Sequence, residues 1–102
     1  MADVDELTQR IRQAVAAGVD LGRSVKLDLK GEGVIRIDGA EVSNDDAPAD
    51  LTVTISARDL AALGKGELDP MRAMMSGRLR LSDMGLALSL QPQIQALLAR
   101  RA

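Results

Sequence analysis

The chain contains no cysteine, no histidine and no aromatic residue of any kind. Without cysteine there is no disulfide, no thiol nucleophile and no thiolate metal ligand. Without histidine the commonest general base and the commonest zinc ligand are gone as well. The absence of tyrosine removes a further acid–base group. What remains for catalysis is Ser, Thr, Lys, Arg and the carboxylates, which permits a Ser–Lys pair, a carboxylate pair or an oxygen-ligand metal site. An enzyme is possible but disfavoured on these grounds. The missing aromatics have a second consequence. Side chains that normally bury about 150–250 Å² each are absent, so the core must be assembled from Leu, Ala, Val, Ile and Met, and stability should be modest.

Long hydrophobic runs are lacking too. No apolar stretch approaches the roughly 20 residues of a membrane span. The first residues, Met1-Ala2-Asp3-Val4-Asp5-Glu6, are acidic where a signal peptide is basic. The expectation is a cytoplasmic protein that is neither exported nor inserted. Nor is there an excess of positive charge: 13 basic against 15 acidic residues leave a net charge of -2. With no aromatic ring to stack on a base, nucleic acid is a poor candidate partner. The 102 residues, 46% hydrophobic and 27% charged, predict one globular domain spanning 1–102.

Along the chain, Val4, Leu7, Ile11, Ala14 and Val15 recur at steps of three and four, which predicts an amphipathic helix over 3–18, capped by Asp3 or Asp5 and ended by Gly18. From Ser24 to Lys30 the pattern becomes strict alternation, with Val25, Leu27 and Leu29 on one face. Gly31-Glu32-Gly33 then turns the chain into Val34-Ile35-Arg36-Ile37-Asp38, and an antiparallel hairpin follows. Ala40 to Val42 can pair briefly before the turn formers of 43–48. Asp50 to Ser56 alternates again as a third main strand. Ser56 and Asp59 predict a capped helix to Gly64, and Asp69-Pro70 opens another that Gly77 stops. Arg78 to Ser82 alternates as a further strand. The segment 84–91 fits both a strand, with Met84, Leu86, Leu88 and Leu90 alternating, and a helix that runs through Ile94, Leu97 and Leu98 to Arg101. Capping by Ser82 or Asp83 favours a short helix before Pro92 and a second one after it.

Several constellations invite a chemical reading and are better explained without one. Gly64-Lys65-Gly66 matches neither a Walker loop nor a dinucleotide fingerprint, and Glu67 and Asp69 would repel phosphate. Asn44-Asp45-Asp46, with Glu41 and Asp50, offers oxygen donors but lacks the spacing of an EF-hand. Ser76 has neither the glycine context of a nucleophile elbow nor a histidine to activate it. Arg78, Arg80, Arg100 and Arg101 form two basic pairs that could touch anionic lipid headgroups transiently, although solvated edges are the default. The methionines at 71, 74, 75 and 84 suit either ordinary core packing, which spacing alone favours, or a cavity that adapts to its contents.

The run Asp69-Pro70-Met71-Arg72-Ala73-Met74-Met75-Ser76-Gly77-Arg78-Leu79-Arg80-Leu81-Ser82-Asp83-Met84-Gly85-Leu86-Ala87-Leu88 resembles the sterol carrier protein-2 family of lipid-binding domains. It shows that family's Asp-Pro-Met start, Met-Ser-Gly turn, alternating basic strand and Asp-Met-Gly-Leu-Ala run. Upstream, Ala49 to Leu60 looks like the family's third strand and following helix, and in all the resemblance covers roughly 25–98. It implies an α+β fold, in which a curved, mainly antiparallel sheet of about five strands is covered on one face by helices, with an apolar tunnel between. It implies a stand-alone, cytoplasmic domain of bacterial type that binds or transfers a sterol, fatty acyl chain or other long-chain lipid. No catalytic residue, cofactor or metal is implied. The peroxisomal C-terminal tripeptide is absent, the chain ending Arg100-Arg101-Ala102. Tunnel-lining residues on this reading are Leu60, Leu63, Met71, Met74, Met75, Leu79, Leu81, Met84, Leu88 and Leu90, with Gln91 at a ligand's polar end. Leu60 and Met74 stand where relatives often carry Phe, and Ser82 where Gly is usual. The tunnel is therefore expected to be either wider than usual or collapsed into an aliphatic core. A second reading is an accessory protein of the same fold, presenting a lipid-like substrate or binding a partner protein within a biosynthetic complex.

Overall fold

The computed structural model describes residues 4–99, with side chains described to residue 97. The Asp3 cap, the place of Leu98 on its helix face, the extension to Arg101 and the Arg100-Arg101 pair lie outside the described residues. Ten elements follow in order: α1 (Val4–Ala16), β1 (Val25–Asp28), β2 (Val34–Asp38), β3 (Glu41–Ser43), β4 (Leu51–Thr54), α2 (Ala57–Gly64), α3 (Pro70–Met75), β5 (Arg80–Leu81), α4 (Met84–Ser89) and α5 (Gln91–Ala99). The strands form one sheet in the order β3-β2-β1-β4-β5, parallel only between β1 and β4. This is the mainly antiparallel five-stranded sheet that the alternation and the family resemblance led us to expect.

Alternation places Val25, Leu27, Leu29, Ile35, Ile37, Leu51, Val53 and Ile55 in the core, while Lys26, Asp28, Arg36, Thr52 and Thr54 stay partly exposed on the other face. On the apolar face lie α1, through Leu7, Ile11 and Ala14, and α2, through Ala57, Leu60 and Leu63. Leu97 of α5 joins the same cluster. Reciprocal bonds fix the register where β1 and β4 begin: Ser24 N donates to Asp50 Oδ2 (3.2 Å) and Asp50 N to Ser24 Oγ (2.8 Å). A buried hydroxyl ties α1 to the sheet. Thr8 Oγ1 donates to Val4 O (2.6 Å) and accepts from Asn44 Nδ2 (3.0 Å), which also donates to Val34 O (2.9 Å).

Toward the C-terminal end, two boundaries differ from the periodicity. The strand expected over Arg78 to Ser82 is reduced to Arg80–Leu81, because the amides of Arg78 and Leu79 both donate to Ala73 O (2.8 and 3.1 Å) and so close off α3. Ser82 continues the pairing with Thr52, its N donating to Thr52 O at 3.0 Å and its Oγ accepting from Thr52 N at 2.8 Å. Residues 84–89 are helical, with Asp83 as N-cap accepting from Leu86 N. The break between the last two helices falls at Leu90 and not at Pro92. Proline stands second in α5, where an amide hydrogen would have had no helical partner.

Gly33 of the hairpin lies against Val4, the first described residue of α1. Its φ of +149° is one that side-chain-bearing residues rarely adopt, and a Cβ there would lie 3.1 Å from Val4 Cγ2. Gly33→Ala should therefore cost at least about 1 kcal/mol, read as a fall of about 4–8 °C in melting temperature. Val4→Ala in the Gly33→Ala background should cost less than Val4→Ala alone. Strict additivity of the two losses in a thermal double-mutant cycle would show that the contact contributes nothing.

Candidate functional site

Between the β4–β5 side of the sheet and the helices lies an apolar cavity of about 220 Å³. Its floor is Leu27 of β1 and Val53 of β4. Leu60 and Leu63 of α2 form one wall, and Leu79 and Leu81 another. The roof is Pro70, Met71 and Met74 of α3, Met84, Ala87 and Leu88 of α4, and Ile94 of α5. Three polar side chains reach it: Asp69, Gln91 and Gln95. Asp69 is already engaged as the N-cap of α3, accepting from Met71 N at 3.2 Å.

Local sequence explains why the roof takes this shape. Gly66, at φ +76°, ends the α2 turn, and Pro70 opens α3 behind its Asp69 cap. Gly77, at φ +79°, then turns the chain back toward the sheet. Each of α3 and α4 is six residues long and buries a single side chain, an alanine: Ala73 in one and Ala87 in the other. Of the two, only Ala87 borders the cavity; bulk at the roof comes from methionine and leucine around it, and the space over Leu27 and Val53 is not filled.

Nine of the eleven residues expected to line a tunnel border this cavity: Leu60, Leu63, Met71, Met74, Leu79, Leu81, Met84, Leu88 and Gln91. The other two do not. Met75 was expected to face inward, but it lies four residues from Met71 on the outer side of α3 and is 85% exposed. Leu90 is buried in the core as the C-cap of α4 and does not reach the cavity. Leu27, Val53, Asp69, Pro70, Ala87, Ile94 and Gln95 were missed. The first two read as ordinary inward strand positions. The orientation of Ile94 and Gln95 follows only once the break at Leu90 is known. Ile94 N donates to Leu90 O across that break.

A larger cleft of about 650 Å³ adjoins the cavity and shares Leu63, Asp69, Pro70 and Gln95 with it. It is charged and open to solvent, with Glu67, Arg72, Ser76 and Arg78 along it, so the smaller cavity is the one with apolar walls. The other constellations in the sequence have structural roles. Gly64, Lys65 and Gly66 stand at the C-terminal end of α2, where Lys65 N and Gly66 N donate to Ala61 O and Leu63 O and are not free to hold an anion. Asp46 pairs with Lys26 at 2.9 Å, and Ser76 Oγ donates to Ala73 O at 3.2 Å. Among the described residues no helix is long and apolar enough to cross a membrane.

A sequence profile for the SCP-2 sterol transfer family matches residues 2–95. The chain belongs to this family. Rabbit (Oryctolagus cuniculus) sterol carrier protein 2 is 43% identical over 54 residues, which is 52% of this chain and 10% of that protein. The chain thus corresponds to about a tenth of the curated relatives it matches first. The crystal structure of sterol carrier protein 2 like 2 from Aedes aegypti superimposes with a TM-score of 0.74 at 26% identity, covering 87% of this chain and 94% of that one. The solution structure of palmitated SCP2L2 from the same mosquito gives 0.65 at 27%, covering 92% and 95%. In SCP-2 terms, the cavity lies where the resemblance placed a tunnel, between the sheet and the helices, and it remains open although Leu60 and Met74 replace the expected aromatics.

The two faces of α3 can be separated by one charge. Met74→Asp should destabilise by roughly 3 kcal/mol, because a carboxylate would be desolvated against Leu60 and Leu79. Met75→Asp and Arg72→Asp, both on exposed positions, should stay within roughly 0.5 kcal/mol of the parent. Chemical denaturation of the three variants measures this, and equal losses would mean that the helix is turned the other way.

Proposed function

We propose that this chain is a non-enzymatic lipid carrier that holds a long acyl chain, with Leu60, Leu63, Met74, Leu79 and Leu81 gripping its inner end and Met71, Met84 and Leu88 its exit. The observation that supports this most directly is the convergence of apolar side chains from the sheet and four helices on a space they do not fill. Ligand pockets commonly measure about 300–1,000 Å³, so about 220 Å³ is narrow. A slender, flexible chain can enter such a space stepwise while unbranched methionines yield to it. A rigid sterol must displace its whole width at once, so acyl chains should bind better than sterols. Head groups should matter little, because only Gln91, Gln95 and the already bonded Asp69 are within reach. Chemistry on the cargo finds no support: the Ser76 hydroxyl is bonded to backbone, and no histidine or cysteine exists to act on a substrate.

Each buried methylene contributes about 0.8 kcal/mol, so affinity should rise about tenfold for every two carbons until the cavity is full. At a hundredfold excess over Kd the ligand should add roughly 2.7 kcal/mol of stability. Thermal shifts with a fatty-acid series, a lysophospholipid and a sterol, together with native mass spectrometry of the purified protein, test this. Ala87→Phe, which fills the space over Leu27 and Val53, should keep the fold and abolish the shift. No shift with any lipid and an empty native spectrum would overturn the carrier reading in favour of an accessory, partner-binding role.

A further inference from the structure

Four large apolar side chains stand exposed among the described residues: Met71 (65%), Met75 (85%), Met84 (45%) and Leu88 (62%). All four belong to α3 and α4, and Met71, Met84 and Leu88 also border the cavity. The cavity therefore opens through an apolar rim that faces water, a feature that marks an interaction surface rather than a random scatter of hydrophobic residues. The rim also carries a positive charge. On the rim itself, exposed Arg72 lies between Met71 and Met75 and makes no ion pair among the described residues. Of the nearby carboxylates, Asp69 and Asp83 accept from the first-turn amides of α3 and α4, and Glu67 stands in the adjoining cleft with Arg72 and Arg78.

We infer that the α3–α4 rim is a docking surface for a lipid bilayer bearing anionic head groups. In that geometry Met71, Met75, Met84 and Leu88 enter the interfacial layer while Arg72 meets phosphate. The inference rests on the carrier reading, since an acyl chain leaving through this rim would otherwise cross water one methylene at a time. Another amphipathic element, α1, is not placed to dock: its apolar residues Leu7, Ile11 and Ala14 are buried in the core, and its outer face shows Asp5, Glu6, Gln9, Gln13 and Arg12, whose guanidinium donates to Val42 O at 3.1 Å. Arg80 supplies an internal control, because it lies between Leu79 and Leu81 on the opposite face of the sheet from the cavity.

Cosedimentation with phosphatidylcholine vesicles, with and without phosphatidylglycerol and at low and high salt, tests the proposal. The protein should partition more strongly when phosphatidylglycerol is present and less strongly in high salt. Met75→Asp should weaken partitioning about tenfold by removing an inserted side chain, and Arg72→Gln about fivefold. Arg80→Gln should leave it unchanged. None of these three residues borders the apolar cavity, so their melting temperatures and fatty-acid thermal shifts should match the parent. Docking is overturned if the parent protein stays in the supernatant, if Met75→Asp partitions like the parent, or if Arg80→Gln weakens binding as much as Arg72→Gln. A dimer in solution that Met75→Asp converts to monomer would assign the rim to a second copy instead. Absence of any fatty-acid shift would sink the carrier reading alone, whatever the vesicles show.

Discussion

One alanine sets the shape of the site. Ala73 and Ala87 are the only side chains that α3 and α4 bury, but Ala87 alone borders the cavity, where it is too small to reach the aliphatic floor formed by Leu27 and Val53. A phenylalanine in its place would close the gap, but the chain has no aromatic residue. Close packing is the rule in protein interiors because an unfilled volume forfeits dispersion contacts on every wall. Here that loss is confined to one place. Elsewhere the aliphatic core is complete, with Leu29, Ile35, Ile37, Leu51 and Ile55 inaccessible to solvent.

The elements around the cavity are also the ones with least stability of their own. A six-residue helix is far below the length at which helices persist in water, so α3 and α4 depend on their ends. Asp69 with Pro70, and Asp83, satisfy the first-turn amides, at about 1 kcal/mol for each cap. The α2 end is better anchored. Ser56 Oγ accepts from Asp59 N, and Glu32, from the β1–β2 turn, accepts from Ala57 N at 3.1 Å. The β1–β4 sheet with α1, α2 and α5 therefore forms a firm support, and the α3–β5–α4 segment is the part that can open at low cost.

This division explains what could be read from sequence. Strands with one buried face announce themselves by alternation, and Val25-Leu27-Leu29 and Leu51-Val53-Ile55 did so. Caps are local, so Ser56, Asp69 and Asp83 were legible as residue types next to apolar runs. Faces of very short helices are not legible, because six residues make fewer than two turns and the inward direction is decided by whichever side chain the tertiary fold admits. Met75 follows the same spacing as its neighbours, yet Ala73 took the inward position. Leu90 was read as cavity lining because period two and period 3.6 coincide over 84–90, and only the break at Leu90 itself separates them. Leu27 and Val53 carried no mark of a site. Their role depends on Ala87, distant in sequence, which is too small to fill the space above them.

If the chain is a carrier, as proposed above, it must also release what it binds, and the cavity's size bears on that. Ten buried methylenes supply a gross of about 8 kcal/mol. A preformed cavity wide enough for a whole chain would keep nearly all of it and hold its cargo tightly. With about 220 Å³ available at rest, part of the gain is spent on moving Met71, Met74 and Met84 aside and on loosening two capped helices. Binding energy is thereby coupled to displacement of the same segment that forms the exit. Any surface that stabilises the opened segment, by taking up its exposed methionines and Leu88, lowers the barrier to loading and to release alike, without altering the affinity of the closed protein for its ligand. On that reading, the alanine that leaves the space unfilled and the short helices that cover it are two parts of one arrangement: a firm sheet that would define where a chain lies, and a marginal lid that would determine when it leaves.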